Sequence, residues 1–510
     1  MTDRVESSHR ASTAGWIPLA IGLSAVVLLW DLLELPQLLN FRAFAFNDPG
    51  SNLTINYLIS HGYRPVIDFG YPYGLLGILA NEAWFRVAAL TPGGYQASTI
   101  LFQLGVACAL ARTAQALVLR PLQLIFLFVA IGRAVIPTYW NFSYGLEAVF
   151  ICFALAEQAR GARGNALALT TAAVFAKPSM GFIYSALLLM LIALDLYRRR
   201  TLGPAAWFKQ IKLALFVGIS LCAILGIAFG VDLLWRTVVP LSGIAEYRTL
   251  HWGFFNRTGA DFWHPAGANW HYYAGNMIGL WAVATAYLIW GAIPAGRRLW
   301  GNLDIKSDCS RMRRDEVIFS CALLHLAFVF LFFGYTNSWN YYSYLLIAGV
   351  AAVSIDARLH RYVFCAIIVV AACTYYSLIA GSISLWRSMS RSPATANLWS
   401  TKDVRDEWTR VLAASKGHRT AILHYAGAIE ILYPQFEPPT GTYFCPGLTS
   451  AAEIQREVAR IKAADQVVLE NVFTSSSCGS FPQTLETESA LAPFKQTERG
   501  DYFLVYERAR

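Results

Sequence analysis

The sequence predicts a polytopic α-helical membrane protein with a small α/β domain after its last membrane helix. Of its 510 residues, 56% are hydrophobic and only 14% are charged, whereas soluble globular proteins average about 45–50% apolar and about 25% charged residues. Long apolar stretches recur from Trp16 to Trp386, and ordinary charge density returns only after about residue 400. This pattern excludes a water-soluble enzyme, a disordered chain and a small disulfide-rich secreted protein.

Eleven apolar stretches approach the roughly 17–25 residues that a helix needs to cross a bilayer with some tilt. They lie at 16–38, 95–117, 119–137, 144–159, 165–177, 180–196, 212–233, 274–294, 316–335, 341–356 and 361–385. The stretches at 144–159 and 165–177 are short, so the count carries a margin of one or two spans. The first stretch is too long for a cleavable signal peptide and no small-residue cleavage site follows it, which predicts that it is retained as a membrane helix.

The basic residues between the spans predict the orientation of the chain. Arginines concentrate in the runs 198–200, 297–298 and 311–314, all on the side that contains the N-terminus, and positive residues gather in cytoplasmic loops. The segments 39–94, 138–143, 234–273 and 336–340 are therefore predicted on the outer face, together with the tail. This orientation predicts a multi-pass protein of the inner, cytoplasmic membrane with its polar loops on the periplasmic side.

Composition divides the chain into a transmembrane domain, residues 1–390, and an extracytoplasmic α/β domain, residues 391–510. The second domain shows β-like runs at Thr420–Leu423, Gln466–Leu469 and Tyr502–Tyr506 and a helical pattern from Ala451 to Ala464. It contains no phosphate-binding glycine loop, HExxH motif or Gly-x-Ser-x-Gly motif. We therefore expect the chemistry in the transmembrane domain.

The cysteines bear on the compartment of the tail. Cys445 and Cys478 are the two cysteines of the C-terminal domain, and an oxidising compartment would permit a disulfide between them. None of the other cysteines has the spacing of metal ligands.

The first outer loop contains two carboxylates in a partly apolar setting, Asp48 and Asp68. Asp48 precedes Pro49, which suits the N-cap of a helix from Pro49 to Ser60. Asp68 lies in the turn-like stretch GYRPVIDFG, where a structural aspartate would bond neighbouring amides. Local pattern alone favours these structural roles over catalysis for both residues.

A helix lying at the membrane surface is predicted between Tyr73 and Leu90. Asn81, Glu82 and Arg86 are predicted on one polar face of it, with Glu82 and Arg86 spaced for an ion pair.

The order of these features resembles the GT-C superfamily of membrane glycosyltransferases. An acidic residue before a short helix in the first outer loop is followed by "RPVIDF", by "TTAAVFAKPSMG" around Lys177, by "NYYSYLLIAGVAAV" from Asn340 and by a closing "GDYFLVYER" strand. The similarity is greatest to the enzymes that use polyprenyl-phosphate sugars, such as the protein O-mannosyltransferases and the lipid A aminoarabinose transferase. It covers most of the chain in architecture, although each motif is short.

The resemblance implies roles for individual residues. It implies Asp48 as the catalytic base, Asp68 as a second acid of the loop, and Lys177 as a contact of the donor phosphate. Arg248, Arg257 and Arg133 are weaker candidates for the phosphate, since arginine donates paired hydrogen bonds to it. Tyr71, Glu147 and His251 are candidates for sugar or acceptor binding, and Glu147 pairing with Arg133 is the structural alternative.

Two of these assignments have their own alternatives. A lysine at membrane depth is rare without a function, but a snorkelling lysine at the interface is the structural interpretation of Lys177. Relatives show Asp-Glu where this chain has Asp48-Pro49. The missing second carboxylate leaves a role for a divalent cation, Mg²⁺ or Mn²⁺, open, and the three histidines of 234–273 have no standard metal spacing.

The resemblance implies an inverting hexosyl- or pentosyltransferase that moves a sugar from a polyprenyl phosphate to an acceptor hydroxyl at the outer face. The implied partners are the lipid-linked donor, a glycan, glycolipid or protein acceptor, and the bilayer, with no nucleic acid. One alternative is a transporter or flippase of lipid-linked sugars, in which intramembrane charges line a path, although no internal repeat is evident. The other is an inactive GT-C-like scaffold.

Overall fold

The computed structural model describes residues 15–71, 73–136, 139–238, 274–301, 309–332, 343–354, 360–424, 427–441, 451–470 and 489–509. In the first half of the chain the helices are α1 (Ile17–Leu33), α2 (Phe41–Phe46), α3 (Ser51–Ser60), α4 (Leu75–Phe85), α5 (Pro92–Ala116), α6 (Pro121–Val135), α7 (Phe142–Ala159), α8 (Arg163–Ala176), α9 (Pro178–Arg198), α10 (Pro204–Phe229) and α11 (Val231–Val238). They are followed by α12 (Ala274–Gly301), α13 (Cys309–Phe332), α14 (Leu345–Val353) and α15 (His360–Ser388). A short helix, Leu35–Leu38, follows α1, and a 3₁₀ turn, Asp48–Gly50, precedes α3.

Each of the eleven predicted apolar stretches overlaps one of these helices. Among the described residues, α5, α9 and α10 are long and apolar enough to cross a membrane, as judged by length and composition. The structure therefore confirms that the chain is predominantly helical. The number of helices that cross the bilayer stays a prediction.

Local sequence signals explain where several helices begin. Proline occupies the first turn of α5, α6, α9 and α10, where its fixed φ and missing N–H cost nothing. The side chain of Asn141 caps α7 by accepting a hydrogen bond from the Tyr144 amide at 2.9 Å. These signals place the ends of the helices, and hence the loops in which polar residues collect.

Many of the described helices share one large apolar core. It contains buried side chains from α1, α5, α6, α7, α8, α9, α10, α12, α13 and α14. Trp30 of α1 stacks on Phe128 of α6 with ring centroids 5.2 Å apart. Helices α7 and α8 pack along each other, and α8 also packs against α9 and α10, so the α8–α9 junction lies among several helices.

The C-terminal domain contains a four-stranded sheet in the order β3-β4-β6-β5 and a two-stranded sheet of β1 and β2. The strands are β1 (Met389–Arg391), β2 (Trp399–Thr401), β3 (Thr420–Leu423), β4 (Gln466–Glu470), β5 (Phe494–Arg499) and β6 (Phe503–Arg508), with α16 (Lys402–Ala414), a short helix Ile429–Leu432, α17 (Ala451–Ala463) and a 3₁₀ turn Pro393–Thr395. Strands β3 and β4 are parallel, whereas β4–β6 and β5–β6 are antiparallel. The predicted strands and helix of this domain coincide with β3, β4, β6 and α17.

The first connecting segment, residues 39–94, packs directly on the C-terminal domain. Phe41 and Phe46 contact the fully buried Trp408, with ring centroids 5.4 and 5.6 Å apart. The Arg42 guanidinium donates two hydrogen bonds to Glu470, at 3.1 and 2.9 Å. These contacts join the beginning of the chain to its end, so the two regions form one continuous core.

Candidate functional site

Asp48 begins the tight 3₁₀ turn between α2 and α3. Gly50 ends this turn and is the residue that precedes α3. A Cβ atom at residue 50 would lie 2.9 Å from the Ala428 amide nitrogen, so only glycine fits where the turn meets the C-terminal domain. The predicted helix from Pro49 capped by Asp48 is therefore corrected: the α-helix begins at Ser51. The side chain of Asp48 lies outside the described residues.

Asp68 closes a small loop in the same segment. Its Oδ2 accepts hydrogen bonds from the Arg64 amide at 2.7 Å and from Arg64 Nε at 3.1 Å. These bonds lower the pKa of Asp68, in spite of partial burial. The carboxylate therefore stabilises the 64–68 turn, as the structural alternative for this residue predicts, and a chemical role stays a prediction.

Lys177 occupies the break between helices α8 and α9. It has an extended backbone, with φ −155° and ψ 115°, and Pro178 starts the next helix. The side chain is 6% exposed. Its Nζ lies 3.6 Å from the ring centroid of Tyr144 and 6.0 Å from that of Tyr73. This arrangement is a cation–π contact in a buried setting, where such contacts are strongest.

Glu147 fixes the helix break from the side of α7. Its Oε1 accepts a hydrogen bond from the Met180 amide at 3.0 Å, and the residue is fully buried. The first amides of a helix have no partner within the helix, and a carboxylate near them is favoured by the helix dipole. Glu147 therefore stabilises the start of α9 directly beside Lys177. For this reason it is part of the candidate site.

Tyr71, Tyr73 and Tyr144 form what we call the tyrosine cluster. Successive rings in this series make edge contacts, with centroids 5.5 and 5.3 Å apart. The Tyr71 hydroxyl lies 2.7 Å from the Ser143 hydroxyl, and burial raises the pKa of Tyr71, so that its hydroxyl stays protonated. The loop that carries Tyr71 and Tyr73, helix α7 and the α8–α9 junction thus meet at the ammonium of Lys177.

Helix α4 lies between α3, which follows the Asp48 turn, and the tyrosine cluster. Its Asn81 is buried and donates to the Asn52 carbonyl of α3 at 3.0 Å. At Gly77, one turn earlier, a Cβ atom would lie 2.9 Å from the Tyr71 hydroxyl. Asn81 is thus corrected from a polar surface position to a buried contact, whereas the predicted Glu82–Arg86 pair is present at 3.8 Å.

Arg133 belongs to a different cluster. Its Nε donates to Glu34 Oε1 at 2.5 Å and its Nη1 to the Ile136 carbonyl at 3.2 Å. The alternative that Glu147 pairs with Arg133 is therefore wrong, because each has another partner. Arg248, His251 and Arg257 lie outside the described residues, as do Cys445 and Cys478.

The sequence analysis missed Tyr73, Tyr144 and Ser143. One signal was present, because Tyr144 and Glu147 are three residues apart and share a face of α7. Metal binding has no support in the described ranges, which contain no group of three His, Cys, Asp or Glu side chains that could hold an ion.

Two solved structures share the fold of this chain. The crystal structure of ArnT from Cupriavidus metallidurans bound to undecaprenyl phosphate aligns with 97% of this chain and 98% of its own, with a TM-score of 0.51 and 11% identity. The apo structure of the same protein gives the same coverage, with a TM-score of 0.52 and 13% identity. No protein-family model matches the sequence, and no curated protein does either. ArnT is an aminoarabinose transferase of the GT-C type, so the predicted GT-C fold is confirmed as a fold.

Proposed function

We propose that the chain is a membrane glycosyltransferase that moves a sugar from a polyprenyl phosphate to an acceptor hydroxyl. The observation that carries this proposal is the buried Lys177 at a helix break, faced by the tyrosine cluster, in a fold shared with a protein that binds undecaprenyl phosphate. Buried lysines are costly. Glu147 offsets part of this cost for Lys177, and a phosphate group would add charge-assisted hydrogen bonds.

In the proposed reaction, Asp48 acts as general base. It takes the proton of the acceptor hydroxyl as the oxygen attacks the anomeric carbon, and the bond from that carbon to the phosphate oxygen breaks. Lys177 stabilises the negative charge that develops on the departing polyprenyl phosphate. Attack from the side opposite the phosphate gives inversion. Because Glu147 fixes the start of α9, the ammonium of Lys177 needs little reorganisation during the reaction.

The tyrosine cluster suits the donor in two ways. Aromatic faces contact the apolar side of a sugar ring or the first isoprene units, and hydroxyl groups donate to sugar or phosphate oxygens. The three donors of an ammonium also allow Lys177 to contact a phosphate while it faces a ring. Further candidates for the site are Asp68, Arg133, Arg248, Arg257 and His251. Asp68 and Arg133 are the weakest of these, because each already forms an ion pair with a described residue.

We propose that the site and the C-terminal domain lie on the periplasmic face of the inner membrane. The distribution of basic residues between the helices supports this orientation. Helix α4 packs against both α3, which follows the Asp48 turn, and α8, which ends just before Lys177. This arrangement supports a shared chamber on that face.

Reconstituted vesicles with a radiolabelled polyprenyl-phosphate sugar test the proposal. A transferase forms labelled acceptor and releases polyprenyl phosphate, whereas a flippase moves label between leaflets without forming product. Failure to form product with any acceptor fraction from the cell envelope would contradict the proposal. Mass spectrometry of envelope glycolipids from a deletion strain would identify the missing sugar and its carrier together.

A further inference from the structure

Helix α17 of the C-terminal domain holds the loop that leads to the tyrosine cluster. The Gly70 amide donates a hydrogen bond to Glu453 Oε2 at 2.9 Å, and Arg456 donates to the Asp68 carbonyl. These two backbone groups flank Phe69, whose side chain is fully buried. One turn of α17 therefore binds the chain on both sides of Phe69. We call Glu453, Arg456 and their hydrogen bonds to this loop the Phe69 clamp.

The clamp is buried and well supported. Glu453 is 0% exposed, and hydrogen bonds to charged groups are stronger than those between neutral ones. Arg456 is oriented by the Thr440 carbonyl, at 3.3 and 3.2 Å, and by the ring of Tyr63, whose centroid lies 5.4 Å from the guanidinium carbon. These contacts hold the Arg456 side chain in place, so that it can in turn hold the loop.

The loop that the clamp holds is strained. Val66 has φ +67°, a left-handed conformation that is a true outlier for a β-branched residue. Such a conformation persists only where surrounding contacts impose it. The Val66 amide bonds the Phe69 carbonyl at 2.8 Å and the Asp68 amide bonds the Arg64 carbonyl at 2.8 Å, so this tight turn ends at the clamped residue.

Other contacts also attach the C-terminal domain, and they act on a different part of the chain. Attachment comes from the shared core around Trp408, from the Arg42–Glu470 pair and from the hydrogen bond of Thr54 to the Gly427 carbonyl. All of these act on residues 41–54. The clamp acts instead on the residues immediately before Tyr71, whose hydroxyl bonds Ser143 in α7.

We infer that Glu453 and Arg456 are positioning residues, through which the C-terminal domain sets the tyrosine cluster against Lys177 and thereby tunes the affinity for the polyprenyl phosphate donor. This inference rests on the proposed function, because it assigns the donor to the tyrosine cluster. It gives the C-terminal domain an indirect part in donor binding, through the loop that carries Tyr71 and Tyr73.

The first test measures the clamp without any ligand. Hydrogen exchange of the full-length protein in nanodiscs is compared for wild type, Glu453→Ala, Glu453→Gln and Gln455→Ala. Gln455 is exposed on the same helix and serves as the matched control. We expect exchange of residues 64–74 to rise about tenfold in Glu453→Ala, the effect of losing one hydrogen bond to a charged group. Residues 399–414 should exchange as in wild type.

The second test measures the consequence, with undecaprenyl phosphate as the probe. We expect Glu453→Ala to raise the Kd, and the donor KM in the transfer assay, about tenfold with kcat largely kept. Glu453→Gln keeps an acceptor for the Gly70 amide and should fall between wild type and Glu453→Ala. Gln455→Ala should match wild type in both affinity and Tm, and Glu453→Ala should lower the Tm by no more than a few degrees.

The outcomes separate the inference from the proposed function. Unchanged exchange at 64–74 in Glu453→Ala would overturn the inference, and so would faster exchange with a wild-type Kd. Lys177→Met, measured in parallel, tests the proposed function. If this variant binds undecaprenyl phosphate like wild type, Lys177 does not bind the phosphate, whatever Glu453→Ala does in the exchange experiment.

Discussion

Helix α8 has a cation shielded from most solvent at each end, and the two cations are held in different ways. Arg163 begins the helix and is bound by carboxylates from two other helices: Glu316 at 3.2 and 2.5 Å and Asp195 at 3.2 Å. Lys177 follows the last residue of the helix and lies against aromatic rings. Both residues are shielded from solvent: the Arg163 side chain is 11% exposed, and Lys177 as a whole residue is 6% exposed.

The difference separates a structural charge from a charge suited to a ligand. The planar guanidinium of Arg163 is matched by carboxylates of α9 and α13, so it joins three helices. At the Lys177 end, aromatic rings that carry no net charge lie beside a single carboxylate, that of Glu147, whose Oε1 is bonded to the Met180 amide. We propose that an anionic phosphate binds at this end. We therefore expect chemistry at the Lys177 end and stability at the Arg163 end.

The largest effect is expected from Asp48→Asn. Loss of a general base lowers transfer by about 10²–10⁴-fold, with the protein still folded and inserted. The measurement is initial rate of product formation in vesicles, with Asp406→Asn, an exposed aspartate of α16, as control. Full activity in Asp48→Asn would remove this residue from the mechanism.

Lys177→Met should lower transfer by about 10²-fold, the loss found when one donor to a developing negative charge is removed. Methionine fills a similar volume but removes the positive charge beside the buried Glu147 carboxylate, so a modest fall in Tm is expected together with the loss of transfer. Lys209→Met, at an exposed lysine of α10, is the matched control. A variant that transfers sugar normally would show that Lys177 is a snorkelling residue. The two ends of α8 would then not differ in function.

Arg163→Met should affect stability and leave the specific activity of the folded fraction unchanged. Removing Arg163 takes away the described partner of Glu316 and leaves Asp195 with the exposed Arg199, and breaking a buried ion pair in this way costs about 3–5 kcal/mol. Thermal unfolding in detergent measures this. Arg199, which also contacts Asp195 but is 65% exposed, provides the control substitution Arg199→Met, with a small effect expected. A large loss of specific activity in Arg163→Met would place chemistry at both ends of α8.

The smallest effect is expected from Asp68→Asn at neutral pH. Arg64 lowers the pKa of Asp68 in the folded protein, so the pair contributes stability above the unfolded pKa and loses it as the pH falls through the folded value. Because the pair is largely solvated, its contribution is modest. The pH profile of transfer should be that of wild type, and a shifted profile would assign Asp68 a chemical role.

Much of the fold was predictable because it depends on local patterns. Apolar runs marked the helices, and Pro92, Pro121, Pro178 and Pro204 marked where four of them begin. Lys177 ends the predicted stretch 165–177, and Pro178 in the first turn of the next helix explains why the chain breaks there. Asn81 was misassigned to the surface because helical periodicity defines faces but not which neighbour covers each face.

The sequence by itself determined that this chain belongs in a membrane, where its helices lie, and which charged residues sit at their ends, because these properties are set by the composition of short windows. Only the tertiary structure decided which groups meet: Tyr73 and Tyr144 around Lys177, Glu147 at the start of α9, and Glu453 with Gly70, which are 383 positions apart in the chain. Such pairings depend on how whole helices and the C-terminal domain pack, and no local pattern encodes them.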